Sequence, residues 1–251
     1  MKLTIVILTC NSLAWIDSCV KALLDTVRVF PIEWIVVDNG SVDSSPQLIK
    51  NLLPQANLIQ NHQNRGVSIA RNQGIMASTG QYVLLLDDDT KVLPNAIDAL
   101  CEYLDQQPQC AMVGPQLLNP DSSLQYNALP LPTVKVKCNR IINKLLGRPL
   151  KNPYHDYIES QKPFQPGYLI GACQLIRQEA INSVGLLDEQ IFYGPEDADY
   201  CLRLKKNGYE IICLPTAQVI HAYQHQSYRM KNLRLLWSHL TGLLYFWWKH
   251  K

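Results

Sequence analysis

The chain has 251 residues, of which 47% are hydrophobic and 18% charged, with a formal net charge of +2. That balance excludes a disordered chain, and so small a charge excludes nucleic acid as the main partner. Its eight cysteines are scattered with no CxxC pair, which argues against a zinc knuckle or a redox dithiol.

The opening "MKLTIVILTC" is apolar for too few residues to be a secretory segment, so it reads as a first strand in a protein of the reducing cytoplasm. Residues 13–28 carry helical periodicity, and "EWIVVDNG" is a second strand ending in turn chemistry. "SSPQLIKNLL" starts a helix, with Ser44 or Ser45 as cap and Pro46 in the first turn. "ANLIQN" is a third strand, "SIARNQGIMAS" a helix and "QYVLLLD" a fourth strand. A helix over "LPNAIDALCEYLDQQP" and a strand over "CAMVGPQLL" follow. Strands alternating with helices predict an α/β fold, Rossmann-like, with a mostly parallel central sheet flanked by helices. Ligands of such sheets bind at the carboxyl ends of the strands. Thr9 and Asn11, Asp38 and Asn39, and Asp87 to Asp89 all fall there.

Prolines interrupt residues 119–166, where one helix is expected near 134–146; so long an irregular stretch reads as a functional loop or a mobile one. Periodicity returns in "YLIGACQLIRQEAINSVG" and "EDADYCLRLKKNGYEIICLP", and "AQVIHAYQHQS" follows. The segment 229–251 has five Lys/Arg, no acid and three of the five tryptophans. It predicts a basic amphipathic helix over 228–251, too short in its uncharged stretch to span a bilayer, which either packs on the domain or makes a peripheral membrane contact.

Three adjacent carboxylates repel one another unless a cation or hydrogen-bond donors neutralise them. Asp87-x-Asp89 at a strand end suits Mg²⁺ or Mn²⁺ bridging to a diphosphate, and a solvated acidic turn is the plainer alternative. A haloacid-dehalogenase-type phosphatase would need Thr or Val at 91, where Lys91 stands. Glu196, Asp197 and Asp199 complement a helix dipole, and Asp199 is spaced to pair with Arg203. The preceding "FYGP" would hold that helix start in place, where a carboxylate could serve as general base. His221 ends an apolar strand, with metal ligation one of its options.

Taken in order, "VILTCNSLAWIDSCVKALL", "WIVVDNGSVDSS", "NRGVSIARNQGIMASTGQYVLLLDDD", "GACQLIRQEAI", "GLLDEQIFYGPEDADYCLRLKKNGYEI" and "VIHAYQHQS" resemble the inverting nucleotide-sugar glycosyltransferases of family 2, which have the GT-A fold. The back half looks most like the rhamnosyltransferase-like subgroup that builds cell-surface polysaccharides. The resemblance implies a nucleoside-diphosphate sugar donor, UDP- or dTDP-linked, a saccharide or lipid-linked acceptor, and Mn²⁺ or Mg²⁺. It places Thr9, Asn11, Asp38, Arg71, Asp87 and Asp88 at the donor, with no distinct role for Asp88. Asp89 and His221 would hold the metal, Asp197 would be the base and Glu196 its helper. Gly171 and Ala172 would let the chain pass close to the acceptor sugar. It also implies one catalytic domain over 1–227, with donor-binding and acceptor-binding halves dividing near residue 115; the C-terminal helix lies outside the resemblance, and its basic, Trp-rich composition is what allows a peripheral contact at the inner face of the membrane.

No Gln-x-x-Arg-Trp motif or multi-span segment is present, so a processive synthase is not expected. Two other functions compete. A non-catalytic nucleotide-sugar-binding protein would not need Asp89, Asp197 and His221 together. A sugar-nucleotide pyrophosphorylase would carry a Gly-rich, basic signature after the first strand, where "LTCNSLAWID" stands.

Overall fold

The computed structural model describes residues 3–28, 31–148, 152–222 and 233–251. The expected continuation of the last strand into 223–227 and the first residues of the basic C-terminal segment lie outside them. The first half runs β1 (Leu3–Thr9), α1 (Ile16–Thr26), β2 (Ile32–Asp38), α2 (Ser45–Leu52), β3 (Asn57–Gln60), α3 (Val67–Ala77) and β4 (Tyr82–Asp87). Then come β5 (Thr90–Val92), α4 (Ala96–Gln106), β6 (Cys110–Leu118), β7 (Leu124–Gln125), β8 (Ala128–Leu129), α5 (Val134–Leu145) and α6 (His155–Glu159). The chain closes with β9 (Tyr168–Leu169), β10 (Cys173–Arg177), α7 (Gln178–Val184), α8 (Glu196–Lys206), β11 (Glu210–His221) and α9 (Leu233–Lys249).

The central sheet has the order β3-β2-β1-β4-β10-β6-β11-β5, with β7 paired to β6. β1 to β4 form its parallel half, and β6 and β11 are parallel to each other. β10 enters between β4 and β6 antiparallel to both. Its middle is buried on both faces, so its apolar run reads the same whichever way it points. One core, with Ile5, Ile7, Leu84 and Leu175, packs under α1, α2 and α4. The other, with Val6, Val37, Leu85 and Ile176, packs under α3, α7 and α8. Odd and even residues of each central strand thus feed opposite layers, as the period of two requires.

The differences from the expected elements have local causes. α1 begins at Ile16 because Leu13 stays exposed ahead of it. α4 begins after Asn95, whose φ of 64° is left-handed. β5 has three residues, too few for a periodic signal. The two predicted strands around Pro215 are one strand, β11, with an irregularity against β6 between Leu214 and Gln218.

The C-terminal helix packs on the domain by one face and exposes the other. Leu243 and Phe246 are buried, and a Cβ on Gly242 would lie 2.5 Å from the Gly194 carbonyl oxygen. Trp247 Nε1 donates to the Pro132 carbonyl at 2.6 Å. Lys249 Nζ lies 2.7 Å from Asp188 and 2.8 Å from Asp199, and His250 Nε2 lies 2.7 Å from Asp199. The expected Asp199–Arg203 pair is present at 2.9 Å. Leu236, Trp237, Leu240, Leu244 and Trp248 form an exposed stripe. Among the described residues no helix is long and apolar enough to cross a membrane.

Burial alone would raise the Asp199 carboxyl, but hydrogen bonds from Lys249 and His250 and the Arg203 charge hold it below its ordinary range. A depressed carboxylate binds fewer protons folded than unfolded, so its stabilisation is present above the unfolded value and lost as pH falls through the folded one. Asp199→Ala should cost about 2 kcal/mol at pH 7, since half-buried Arg203, Lys249 and His250 each lose a charged hydrogen-bond partner. Denaturant melts across pH should show the deficit shrinking below about pH 4, the unfolded carboxylate range.

Candidate active site

The carboxyl ends of β1, β2 and β4 meet at one edge, and short loops there consume most of their own polar groups. Thr9 Oγ1 donates to Ser12 Oγ at 2.8 Å. Ser12 Oγ in turn donates to Asp88, which also accepts from the Cys10 amide at 3.3 Å. Asp88, expected among the donor contacts, is therefore turned toward the β1 loop, which it ties to the end of β4. Burial, with the charges of Asp89 and Asp87, pushes its carboxyl up to about 8. Asn11, at φ 55°, joins this loop to the next: its side-chain carbonyl accepts from the Val42 amide at 2.9 Å. Asp38 accepts from the Ser41 hydroxyl and amide, and Asn39 reaches the Gly66 carbonyl at 3.2 Å.

The last residues of β4 and β11 bring three ligating groups together. One atom each from Asp87, Asp89 and His221 all lie within 4.8 Å of one another. His221 Nε2 is 3.3 Å from Asp89 Oδ1, and its Nδ1 is 2.6 Å from Gln125 Oε1. Gln125 Nε2 donates to the Asn119 side-chain carbonyl at 2.9 Å and the His221 carbonyl at 3.2 Å, which fixes the amide with its oxygen toward the ring. With Nδ1 facing Gln125, Nε2 is the ring atom turned toward Asp89. An oxygen-rich set with one oriented imidazole suits Mn²⁺ or Mg²⁺.

Arg71 connects this cluster to α8. Its Nη2 donates to Asp87 at 2.7 Å and to the Gly171 carbonyl at 2.8 Å, and Nη1 lies 3.6 Å from Glu196. Burial pulls the guanidinium pKa down, but Asp87 and Glu196 more than offset it and hold it above its ordinary range. Arg71 Nε, Arg71 Nη1 and Glu196 Oε2 are buried with no hydrogen-bond partner among the described residues, which leaves two donors and an acceptor open to a ligand. Gly171 permits the approach, because a Cβ there would fall 2.1 Å from Arg71 Nη1. Ala172 is buried, and its carbonyl accepts from the Asp87 amide at 3.0 Å. Both residues back Arg71 and Asp87 in this structure.

Asp197 stands in the first turn of α8 and accepts from the Ala198 amide at 2.7 Å. Burial first, and then the Glu196 charge, push its carboxyl up to about 7. Glu196 is also raised by burial, with Arg71 opposing. Two neighbouring carboxyls with raised affinity for protons form a candidate acid–base pair. A cleft of about 640 Å³ lies at the opposite end of the strands, around Pro31, Gly80 and Arg177, far from this chemistry.

Glycosyl transferase family 2 matches residues 4–185, most of the chain. The chain belongs to that family. It is 28% identical over 241 residues to the N-acetylglucosaminyl-diphospho-decaprenol L-rhamnosyltransferase of Mycobacterium tuberculosis, covering 87% of this chain and 78% of that protein. It is 24% identical over 204 residues to the dTDP-rhamnosyl transferase RfbF of Shigella flexneri, covering 80% and 63%. The mannosyltransferase PcManGT from Pyrobaculum calidifontis, solved with GDP-Man and Mn²⁺, superposes with a TM-score of 0.66 at 17% identity. That match covers 96% of this chain and 62% of the mannosyltransferase. The architecture is thus the expected GT-A fold, and this glycosyltransferase is similar in sequence to rhamnosyltransferases.

Sequence reasoning missed several residues of this candidate site. Gln125 lies in a two-residue strand with no motif around it. Ser68 and Asn72 flank Arg71 on α3, yet they hold the loop before α8: Ser68 Oγ donates to the Ile191 carbonyl at 2.7 Å, and Asn72 Nδ2 to the Leu187 carbonyl at 2.9 Å. Their spacing around Arg71 was the one available signal. Gln125→Leu should weaken Mn²⁺ binding by about 10- to 100-fold, the range for loss of a partner that orients a ligating histidine. Titration followed by the electron paramagnetic resonance of free Mn²⁺ measures this directly.

Proposed function

We propose that this glycosyltransferase moves a sugar from a nucleoside diphosphate, UDP- or dTDP-linked, to a saccharide or lipid-linked saccharide during cell-surface polysaccharide synthesis, with inversion in a single displacement. The observation that carries the proposal is the Asp87–Arg71–Glu196 bridge. It supports this reading because it joins Asp87 of the candidate metal cluster to Glu196, the neighbour of Asp197, and displacement at an anomeric carbon needs the leaving diphosphate and the attacking hydroxyl held side by side. The rhamnosyltransferase relatives support a deoxyhexose donor, and the decaprenol-linked substrate in one relative's name supports a lipid-linked acceptor.

Asp197 takes the proton from the acceptor hydroxyl as that oxygen attacks, and Glu196 orients the acceptor. Asp89 and His221, with Asp87 beside them, would hold Mn²⁺ or Mg²⁺, which when bound offsets the charge growing on the departing diphosphate. Thr9, Asn11 and Asp38 line the nucleotide end, Asp38 toward the base, while Arg71 and Asp87 face the ribose and diphosphate. Gly171 and Ala172 form the wall nearest the acceptor sugar. Residues 1–227 act as one catalytic unit, with the donor held by about the first 115 residues and the acceptor by the remainder. Eight unpaired thiols support a cytoplasmic site of action. The exposed Leu and Trp stripe of α9 supports peripheral contact with the inner membrane face through 229–251.

Asp197→Asn should abolish transfer and leave donor binding nearly intact, whereas Asp89→Ala should weaken both Mn²⁺ and nucleotide binding; calorimetry and a transfer assay separate the two. A normal turnover rate in Asp197→Asn removes it as the base. In the wild type, kcat/KM should rise with pH through about 7, because the base works deprotonated and its carboxyl is raised to that value.

The same raised pKa has a stability consequence. Folded Asp197 binds more protons than unfolded, so its burial destabilises increasingly as pH rises from the unfolded range to about 7. The thermal midpoint of Asp197→Asn should therefore exceed that of the wild type at pH 8 and approach it near pH 4.

A further inference from the structure

Between Asp121 and Asp156 the sequence has no acidic residue, and Lys135, Lys137, Arg140, Lys144, Arg148 and Lys151 all fall in that stretch. The first four lie on α5, which has no buried residue although it carries Val134, Val136, Ile141, Ile142 and Leu145. Neither core includes any of them. The helix is nonetheless capped, because the Thr133 hydroxyl accepts from the Val136 amide at 3.3 Å.

On a helical wheel Val134, Cys138, Ile141, Ile142 and Leu145 fall within one arc of about 100°. All five are exposed. Exposed Lys135 borders this arc on one side and exposed Lys144 on the other. Val136, Asn139, Arg140 and Asn143 occupy the opposite arc, where they line a cavity of about 250 Å³ with Leu129 and Pro130. α5 therefore turns its more polar side to the protein and its apolar side outward, the reverse of a helix that packs on its own core.

An outward apolar arc is covered by a second protein surface or by lipid, and the charges favour lipid. Lys135, Lys144 and Arg148 make no ion pair among the described residues. Long cationic side chains at the borders of an apolar arc reach headgroup phosphates while the arc itself enters the acyl boundary. α5 also begins beside α9, since the Pro132 carbonyl that accepts from Trp247 lies two residues before it. The two helices with exposed apolar stripes thus adjoin.

We propose that α5 is an interfacial helix for an anionic bilayer, with Val134, Cys138, Ile141, Ile142 and Leu145 entering the acyl boundary and Lys135 and Lys144 bound to headgroup phosphates. The proposal rests on the reading of the protein as peripheral at the membrane, and adds to the 229–251 contact a second helix that selects anionic lipid.

The test is flotation of the full chain with vesicles. Vesicles of phosphatidylcholine containing about 30% phosphatidylglycerol should bind the protein at least about tenfold more tightly than pure phosphatidylcholine, and about 0.5 M salt should remove most of that difference. Ile141→Ser/Leu145→Ser and Lys135→Glu/Lys144→Glu should each weaken binding to the mixed vesicles at least about tenfold. Both variants replace exposed side chains, so each should keep the wild-type thermal midpoint. A polarity-sensitive fluorophore on Cys138, the one exposed cysteine, should shift to the blue on the mixed vesicles. Unchanged binding in Ile141→Ser/Leu145→Ser, or an unshifted fluorophore on vesicle-bound protein, overturns the proposal and leaves α9 as the membrane contact. Equal binding to the two kinds of vesicle overturns it too. So does a lipid-free dimer that is lost in Ile141→Ser/Leu145→Ser, which would assign the arc to a second copy of the chain. Absence of wild-type binding to either vesicle overturns the peripheral-membrane reading as well and leaves the sugar-transfer reading standing.

Discussion

The site depends on one buried cation. Arg71 projects from α3 between Asp87 at the end of β4 and Glu196 at the start of α8, and a guanidinium in that position is stable only with its charge partners. Losing one partner of such a pair costs about 3–5 kcal/mol, because the survivor stays buried and unpaired. The fork geometry also matters: Nη2 serves the Asp87 carboxylate and the Gly171 carbonyl while Nη1 faces Glu196, a fixed spread of two nitrogens that the single ammonium of a lysine lacks. α3 is the rigid element behind this arrangement. Its Ser68 and Asn72 grip the loop that leads into α8, so one helix sets both sides of the pocket.

The C-terminal helix braces the opposite side. Gly242 lets α9 approach the Gly194 carbonyl, directly before the acidic start of α8. Lys249 and His250 converge on Asp199, two residues beyond Asp197. The helix dipole explained the acids at the start of α8 from sequence, and it remains part of the account. The fold adds a division of labour among them. Asp199 is buried in ion pairs that anchor the helix, Glu196 faces Arg71, and Asp197, half-buried, accepts from the Ala198 amide.

The three aspartates divide in the same way. Asp89 and Asp87 face His221, while Asp88 turns to the β1 loop and holds Ser12 and the Cys10 amide. β4 ends at Asp87, and the turn over Asp88 and Asp89 sends their side chains apart. The sequence alone offered no donor for Asp88, because Ser12 is 76 residues away and belongs to an unrelated turn.

Local chemistry made much of this protein legible in the chain itself. Apolar runs located β1, β2, β4 and β6, the turn residues after them marked the ligand-binding edge, and the ordered motifs pointed to the family and to Asp87, Asp89, Asp197 and His221. Those signals are short-range, and each is set by the residues within a few positions. Tertiary structure alone decided the antiparallel entry of β10, the orientation of His221 by Gln125, the Arg71 bridge, and the packing of α9 on the loop before α8. Each depends on partners brought together from distant segments, across 96 residues for His221 and Gln125, and no local pattern encodes which polar group will meet which. Pairing of buried polar groups is obligatory, but the identity of the partner is a property of the folded chain.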